Sequence, residues 1–170
     1  MLAATADGRK LPPLLILKRK TLPKSEAFQK DVIIRAPEKG WMTEELMLER
    51  LKIVWGRRHR NQPSMLVLDI FKRHLTDSVK NHLCKMKTEL VFIPGRMTSV
   101  LQPMNLSINK PFKDRLRQQY LTWIADLARE LTETGKIKCT APTEVARWVS
   151  AAWSAIPESI IIRSFQEVLH

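Results

Sequence analysis

Two short apolar runs with a cappable helical segment between them constrain this chain more than any other feature. Met65-Leu-Val-Leu-Asp69 is continuously apolar rather than alternating, the pattern of a strand buried on both faces. Leu90-Val-Phe-Ile93 is a second such run, stopped by Pro94-Gly95. Between them Thr76 can cap a helix that contains Val79, Leu83 and Met86. Strand, helix and strand in direct succession imply parallel pairing, because the crossover occupies the helix. Asp69 then stands at the carboxyl end of a buried strand, where ligands and catalytic groups gather in open α/β sheets. An aspartate there is costly unless it is solvated, hydrogen-bonded or bound to a cation; helix capping or a turn is the plainer reason for it.

The rest of the chain extends the same reading. Ala3 to Ala6, the turn signal Asp7-Gly8 and Leu14-Leu-Ile-Leu-Lys18 after Pro12-Pro13 read as a β-hairpin. Asp31-Val-Ile-Ile-Arg35, closed by Pro37 and Gly40, is a further short strand. Thr43 looks like the N-cap of a helix over 43–57, with Leu46, Leu48, Leu51, Val54 and Trp55 at helical spacing. From 105 to 131, Ile108, Phe112, Leu116, Tyr120, Trp123, Ile124 and Leu127 fit one helical face, and Pro111 marks a kink or the true start. Helices over 143–155 and 158–169, parted by Pro157, complete the chain. Antiparallel strands first, then alternating helices and strands, make an α/β chain with a mixed sheet. Trp55, Trp123, Trp148 and Trp153 lie on apolar faces and are expected in the core, and Trp41 is expected to pack within its Gly-Trp-Met turn.

Charge narrows the function. Lys and Arg number 29 against 17 Asp and Glu, a net +12, with a sequence pI near 10.1. Residues 1–60 hold fourteen basic and seven acidic groups, residues 61–125 ten and four, and residues 126–170 five and six. The excess therefore sits in the first three quarters and points toward a polyanion or a nuclear setting. Lys18-Arg-Lys20, Lys24 and Arg57-Arg-His-Arg60 have the composition of import signals, and of ordinary surface as well. Cys84 and Cys139 match no metal-ligand spacing and suggest a reducing compartment. No apolar run reaches the roughly 18 residues of a membrane span, and residues 1–7 lack signal-peptide character, so an intracellular protein without membrane partners is expected. His59, His74, His82 and His170 are scattered, which defends no nucleophilic triad, and the five glycines are isolated, which disfavours nucleotide hydrolysis.

Two blocks are more specific: Leu66-Val-Leu-Asp69-Ile-Phe-Lys-Arg-His74, and Ser99-Val-Leu-Gln-Pro103-Met-Asn105-Leu-Ser-Ile-Asn-Lys-Pro-Phe-Lys113. With Thr5-Ala-Asp-Gly-Arg-Lys-Leu-Pro-Pro13, Gly40-Trp-Met-Thr43 and the late Trp148, Trp153 and Ser164-Phe165, the chain resembles the DDE superfamily endonuclease domain of pogo/Tigger-type transposases and transposon-derived host proteins. The resemblance covers nearly the whole chain. It implies an RNase H-like fold, a mixed sheet flanked by helices, in which three carboxylates bind two divalent ions that drive DNA strand cleavage and transfer. Two such ions repel unless carboxylates lie between and around them.

Carried over residue by residue, the second acid falls on Asp69 and the third on Asn105, with 35 residues between them. An amide keeps one ligating oxygen but loses the negative charge. The first acid belongs to a strand upstream of the Thr5–Pro13 block, so the fold is expected to be truncated at its N-terminus, with that strand and acid missing. Asp7 is the turn aspartate and no substitute. The resemblance then implies residues 1–134 as the endonuclease-like domain and 135–170 as a C-terminal helical extension packed on it. Asp69 is expected to be a relic that binds metal weakly at best, and no cofactor is expected; Mg²⁺ or Mn²⁺ enters only if activity survives. Lys72 and Arg73 after Asp69, and Lys110, Lys113, Arg115 and Arg117 after Asn105, would flank the old cleft and hold DNA phosphates, or else be solvated helix faces. The expectation is a nuclear, DNA-binding, catalytically inactive domain with no small-molecule substrate. Residual metal-dependent cleavage and a chromatin-associated protein-interaction module formed by helices 143–169 are the alternatives.

Overall fold

The computed structural model describes residues 1–19, 29–55, 62–69, 76–93, 102–126, 134–135 and 139–169. Thr43 takes extended backbone angles and its hydroxyl accepts the Leu46 N–H at 3.3 Å, so α1 begins where the cap signal lies and runs Glu44–Arg50. A π-helical turn, Leu51–Trp55, continues it. Strand β3 spans Ser64–Asp69, helix α2 spans Asp77–Lys85 and strand β4 spans Thr88–Ile93. The two strands pair in parallel from Ser64↔Thr88 to Asp69↔Ile93, as the strand–helix–strand order requires. Thr76 holds the N-cap position of α2, yet its hydroxyl makes no capping bond.

One face of the β3–β4 pair is covered. Met47 and Leu51 from the α1 segment, and Val79 and Leu83 from α2, close over Leu68, with Leu66, Leu90 and Phe92 packed beside them. Those four strand residues share one face because strand side chains alternate. Burial on both faces, expected from the continuous apolar run, does not extend along the strand: Met65, which points the other way, is 51% exposed. On that same face Ile93 is 4% exposed, so the second face is covered at the end of the pair and open at its start, a difference the apolar run does not mark.

A second parallel pair lies near the start of the chain. Strand β1, Leu14–Ile16, pairs with β2, Ile33–Arg35, in the register Leu14↔Ile33 to Ile16↔Arg35. Among the described residues no pairing joins this sheet to β3–β4. Among the described residues the antiparallel component of the expected mixed sheet is the bridge Ala4↔Lys10, supported by Thr5 N–H to Arg9 O at 2.9 Å and Leu11 N–H to Ala3 O at 3.0 Å, together with Met1 and Leu14, where Leu14 N–H donates to Met1 O at 2.9 Å and the Met1 amino group to Leu14 O at 2.6 Å. Pro12 and Pro13 have no N–H to give, so the ladder is interrupted there and resumes at Leu14. The turn itself forms at Asp7-Gly8, with Gly8 at φ +93° and its N–H on Thr5 O.

The helices after β4 cover this first sheet. A π-helical turn, Met104–Ile108, leads into α3, Asn109–Ala125. Pro111 lies in the first α turn, and the widened turn before it lets the chain pass a residue that has no N–H to give. Helices α4, Pro142–Ser154, and α5, Glu158–Leu169, follow, parted by Pro157. Ala146 and Val149 pack on Val32 and Ile34, with Phe112 and Leu116 alongside. Trp153, Ile156 and Ile161 enclose Ile108. Trp153 donates Nε1–H to Leu11 O at 3.0 Å, and Lys10 Nζ donates to Ser154 O at 2.8 Å and Ile156 O at 2.9 Å. A lysine placed on the last carbonyls of α4 satisfies groups that the helix itself leaves open.

Candidate functional site

Asp69 is the last residue of β3, opposite Ile93, at the strand end expected for it. Asn105 lies in the π-helical turn that leads into α3 and is exposed. Its side chain is held from both sides: Asn109 donates Nδ2–H to Asn105 Oδ1, and Asn105 donates Nδ2–H to Gln102 Oε1 at 2.6 Å. The spacing places Asn109 one turn after Asn105. Gln102 and Asn109 are residues that sequence reasoning passed over; the signal was the run of three amides at 102, 105 and 109 in a helical stretch.

The donor chemistry at position 105 does not fit a pair of divalent ions. Hard cations take carboxylate oxygens, and here a neutral amide offers one oxygen that already accepts a hydrogen bond. Among the described residues no cluster of three or more His, Cys, Asp or Glu side chains is placed to hold a metal. Asp7, the turn aspartate, accepts the Thr5 hydroxyl and the Arg9 N–H, the latter at 3.1 Å. These bonds, with the Arg9 charge, hold its carboxyl below the usual range although it is exposed.

Four of the predicted phosphate contacts lie on α3 and are not equivalent. Lys110, Lys113 and Arg117 are exposed and fall within one stripe of the helix. Arg115 is two residues from Lys113 and from Arg117, which turns it to the other side, where it is half-buried and donates Nη1–H to Pro111 O at 3.4 Å. Arg117 pairs with Asp114 at 3.5 Å, with both side chains more than half exposed. Lys72 and Arg73 lie outside the described residues, as do Lys20, Lys24 and Arg57 to Arg60 of the basic runs; Lys18 and Arg19 are exposed.

Elsewhere Arg50 is buried, donates Nη1–H to Pro12 O at 3.2 Å and leaves Nη2 without an acceptor among the described residues. Burial lowers its pKa to about 10. A cavity of about 420 Å³ includes Thr5, Arg9, Lys30, Trp55 and Ser64 in its lining. Ser64 opens β3, so the cavity is at the far end of a six-residue strand from Asp69, about 17 Å away.

The aromatic residues divide. Trp148 and Trp153 are buried, and Trp55 and Trp123 half-buried, as their faces imply. Trp41, expected to pack, is 71% exposed. Gly40 is the residue that docks its turn: at φ +68° a Cβ there would lie 2.7 Å from Lys18 Cβ. Met42 then turns into the core and its neighbour Trp41 outward. The sequence pattern also gave no notice of a cluster in which Tyr120 stacks on Trp123 at 5.9 Å and both meet Trp148 edge-on, at 6.5 and 6.0 Å.

Parallel strand pairs, a helical crossover from β3 to β4 and a polar residue at a strand end define an α/β protein of the kind that places its chemistry beyond the strands. A family model for DDE superfamily endonucleases matches residues 1–165, and the chain belongs to that family. It is 40% identical over 170 residues to the Homo sapiens protein "Pogo transposable element with KRAB domain", covering 98% of this chain and 28% of that protein. The Mus musculus protein of the same name is 39% identical over the same lengths. The Homo sapiens "Pogo transposable element with ZNF domain" is 28% identical over 136 residues, 79% of this chain and 9% of that protein. The chain thus spans 28% of the length of the first two relatives. No solved structure matches it. No helix among the described residues is long and apolar enough to cross a membrane.

Proposed function

We propose that this chain is a transposase-derived DDE endonuclease domain that binds DNA in the nucleus and has lost strand cleavage. One stretch carries the reading. Between positions 105 and 117 an amide stands where the family resemblance places the third acid, while Lys110, Lys113 and Arg117 remain exposed immediately after it. Losing an anion weakens the hold on two divalent cations, whereas the phosphate-binding capacity of neighbouring lysines and arginines is untouched. Binding and catalysis depend on different residues, so one can persist without the other.

In this reading Asp69 is a relic, Asn105 marks the lost acid, and no metal cofactor is needed for the remaining activity. The two parallel pairs would belong to one RNase H-like sheet. Family membership and resemblance to pogo transposable element proteins support the descent, and the net charge of +12 supports a polyanionic, nuclear partner. A protein-docking role for the last two helices draws less support, because Ala146, Val149, Trp153, Ile156 and Ile161 face their own core.

The test pairs a duplex DNA titration with a supercoiled-plasmid nicking assay in Mg²⁺ and in Mn²⁺. Expected are salt-sensitive binding and no nicking above background. Nicking that disappears in Asp69→Ala would overturn the reading in favour of a residual nuclease.

A further inference from the structure

The solvent stripe of α3 has two halves of different chemistry. Lys110, Lys113 and Arg117 occupy its first half, and Tyr120, Leu121 and Ile124 its second, exposed by 45%, 53% and 38%. Lys113, Arg117, Tyr120 and Ile124 are spaced at three and four residues, so they form one row along the helix. Tyr120 does not move freely: one ring face lies on Trp123, at 5.9 Å and 25°, and Trp148 meets it edge-on. Trp148 is itself fixed by donating Nε1–H to Glu144 Oε1 at 2.8 Å. The result is a pre-formed aromatic surface, half open to solvent, about 10 Å along the helix axis from Lys113.

From this row we propose that α3 binds an unpaired nucleic-acid strand, with Lys110, Lys113 and Arg117 on its phosphates and a base stacked on Tyr120. The inference rests on the nucleic-acid reading above and narrows its ligand to single-stranded segments. Only a partner that is both polyanionic and rich in exposed planar apolar groups satisfies both halves of the stripe. A duplex offers the phosphates but keeps its base faces stacked inside. A second copy of the chain offers the apolar patch but sets the same cations against each other. Stacking of a base on an aromatic ring held over a positive track is sequence-tolerant, because every base has a π-face. Asp114, paired with Arg117, flanks the row, and a phosphate would displace it from an exposed and therefore weak ion pair.

Anisotropy titrations of the unmodified chain with three probes of about 20 nucleotides or base pairs, an oligo-dT, an abasic strand with equal phosphates and a duplex, test this directly. The oligo-dT is expected to bind at least about tenfold tighter than the abasic strand and to quench tryptophan emission, which the abasic strand does not. Tyr120→Ala should abolish that difference with duplex affinity unchanged, and Tyr120→Phe should preserve it. Equal affinity for oligo-dT and the abasic strand overturns the stacking site while leaving duplex binding intact; no binding to any probe overturns both readings. A dimer by sedimentation that Tyr120→Ala dissociates assigns the patch to a second copy and also overturns the proposal. The probe comparison needs no variant, so it decides even if Tyr120→Ala fails to fold.

Discussion

Asn109 donates its side-chain N–H to Oδ1 of Asn105 one turn earlier, and Asn105 in turn donates to Gln102 Oε1 at 2.6 Å. An amide at 105 uses both its acceptor and its donor in this chain. A carboxylate there would have acceptors only, and would take bonds from Asn109 and from Gln102 with its amide turned over. The fold therefore does not require the amide.

Asn105→Asp follows as the first test. The residue is exposed and precedes α3, where a negative charge interacts favourably with the helix dipole, by about 0.3–1 kcal/mol. The melting midpoint is expected to stay level or rise by about 1–3 °C. A loss above about 1 kcal/mol in denaturant unfolding would show that the amide chain is a structural requirement.

The cations of α3 should separate in salt titrations of duplex binding. Gln at Lys110, Lys113 or Arg117 is expected to reduce the slope of log K against log salt by about 0.9 each. Arg115→Gln should leave the slope unchanged, because Arg115 turns to the other side of the helix onto Pro111 O. Equal effects at all four would mean that α3 does not lie along the DNA by this face.

Lys10 joins the turn near the start of the chain to the end of α4, 144 residues on, through Ser154 O. Lys10→Met is expected to destabilise by about 1–2 kcal/mol in urea unfolding, since three carbonyl contacts of a cation at a helix C-terminus are lost. Lys113→Met, exposed on α3, serves as the control and should change stability by less than about 0.5 kcal/mol.

Arg35 and Glu49 tie β2 to α1, with Arg35 Nε–H on Glu49 Oε2 at 2.9 Å. The arginine hydrogen bonds and charge hold the Glu49 carboxyl below its ordinary value of 4.5. Stability from this pair is present above that unfolded value and lost as pH falls through the lower folded one. Both side chains are more than a third exposed, so the contribution is about 0.5 kcal/mol after screening. Glu49→Gln should be less stable than the parent by that amount at pH 7, and the gap should close well below pH 4.5. A gap that persists in acid would assign the loss to packing.

The elements that could be read in advance are those with a local signal. Thr43 caps α1, Pro157 parts α4 from α5, and the β3–α2–β4 order imposes parallel pairing. The direction of β1 against β2 had no such signal, because two apolar triplets encode neither partner nor polarity, and the hairpin that Asp7-Gly8 starts is interrupted at Pro12-Pro13 before Leu14 meets Met1. Exposure at Trp41 depends on Gly40 meeting Lys18 across the fold, a contact invisible in the Gly-Trp-Met run. At the candidate site positions 69 and 105 are singled out by the family resemblance of their blocks, and β3 ends at Asp69 as the apolar run implies. The amide chain was not, because it requires knowing that 102 to 109 wind as one helical turn after another. Nor was the inequality of Arg115, since four cations in eight residues look alike until the helix distributes them around its axis.

Mn²⁺ titration of the chain and of Asn105→Asp, followed by electron paramagnetic resonance, tests most directly whether position 105 has ended metal chemistry here. The chain is expected to bind no Mn²⁺ more tightly than about 1 mM, and Asn105→Asp to bind measurably tighter, because a restored anion attracts a hard cation. Two Mn²⁺ ions held at micromolar concentration by the unmodified chain, and released in Asp69→Ala, would contradict the proposed loss of catalysis.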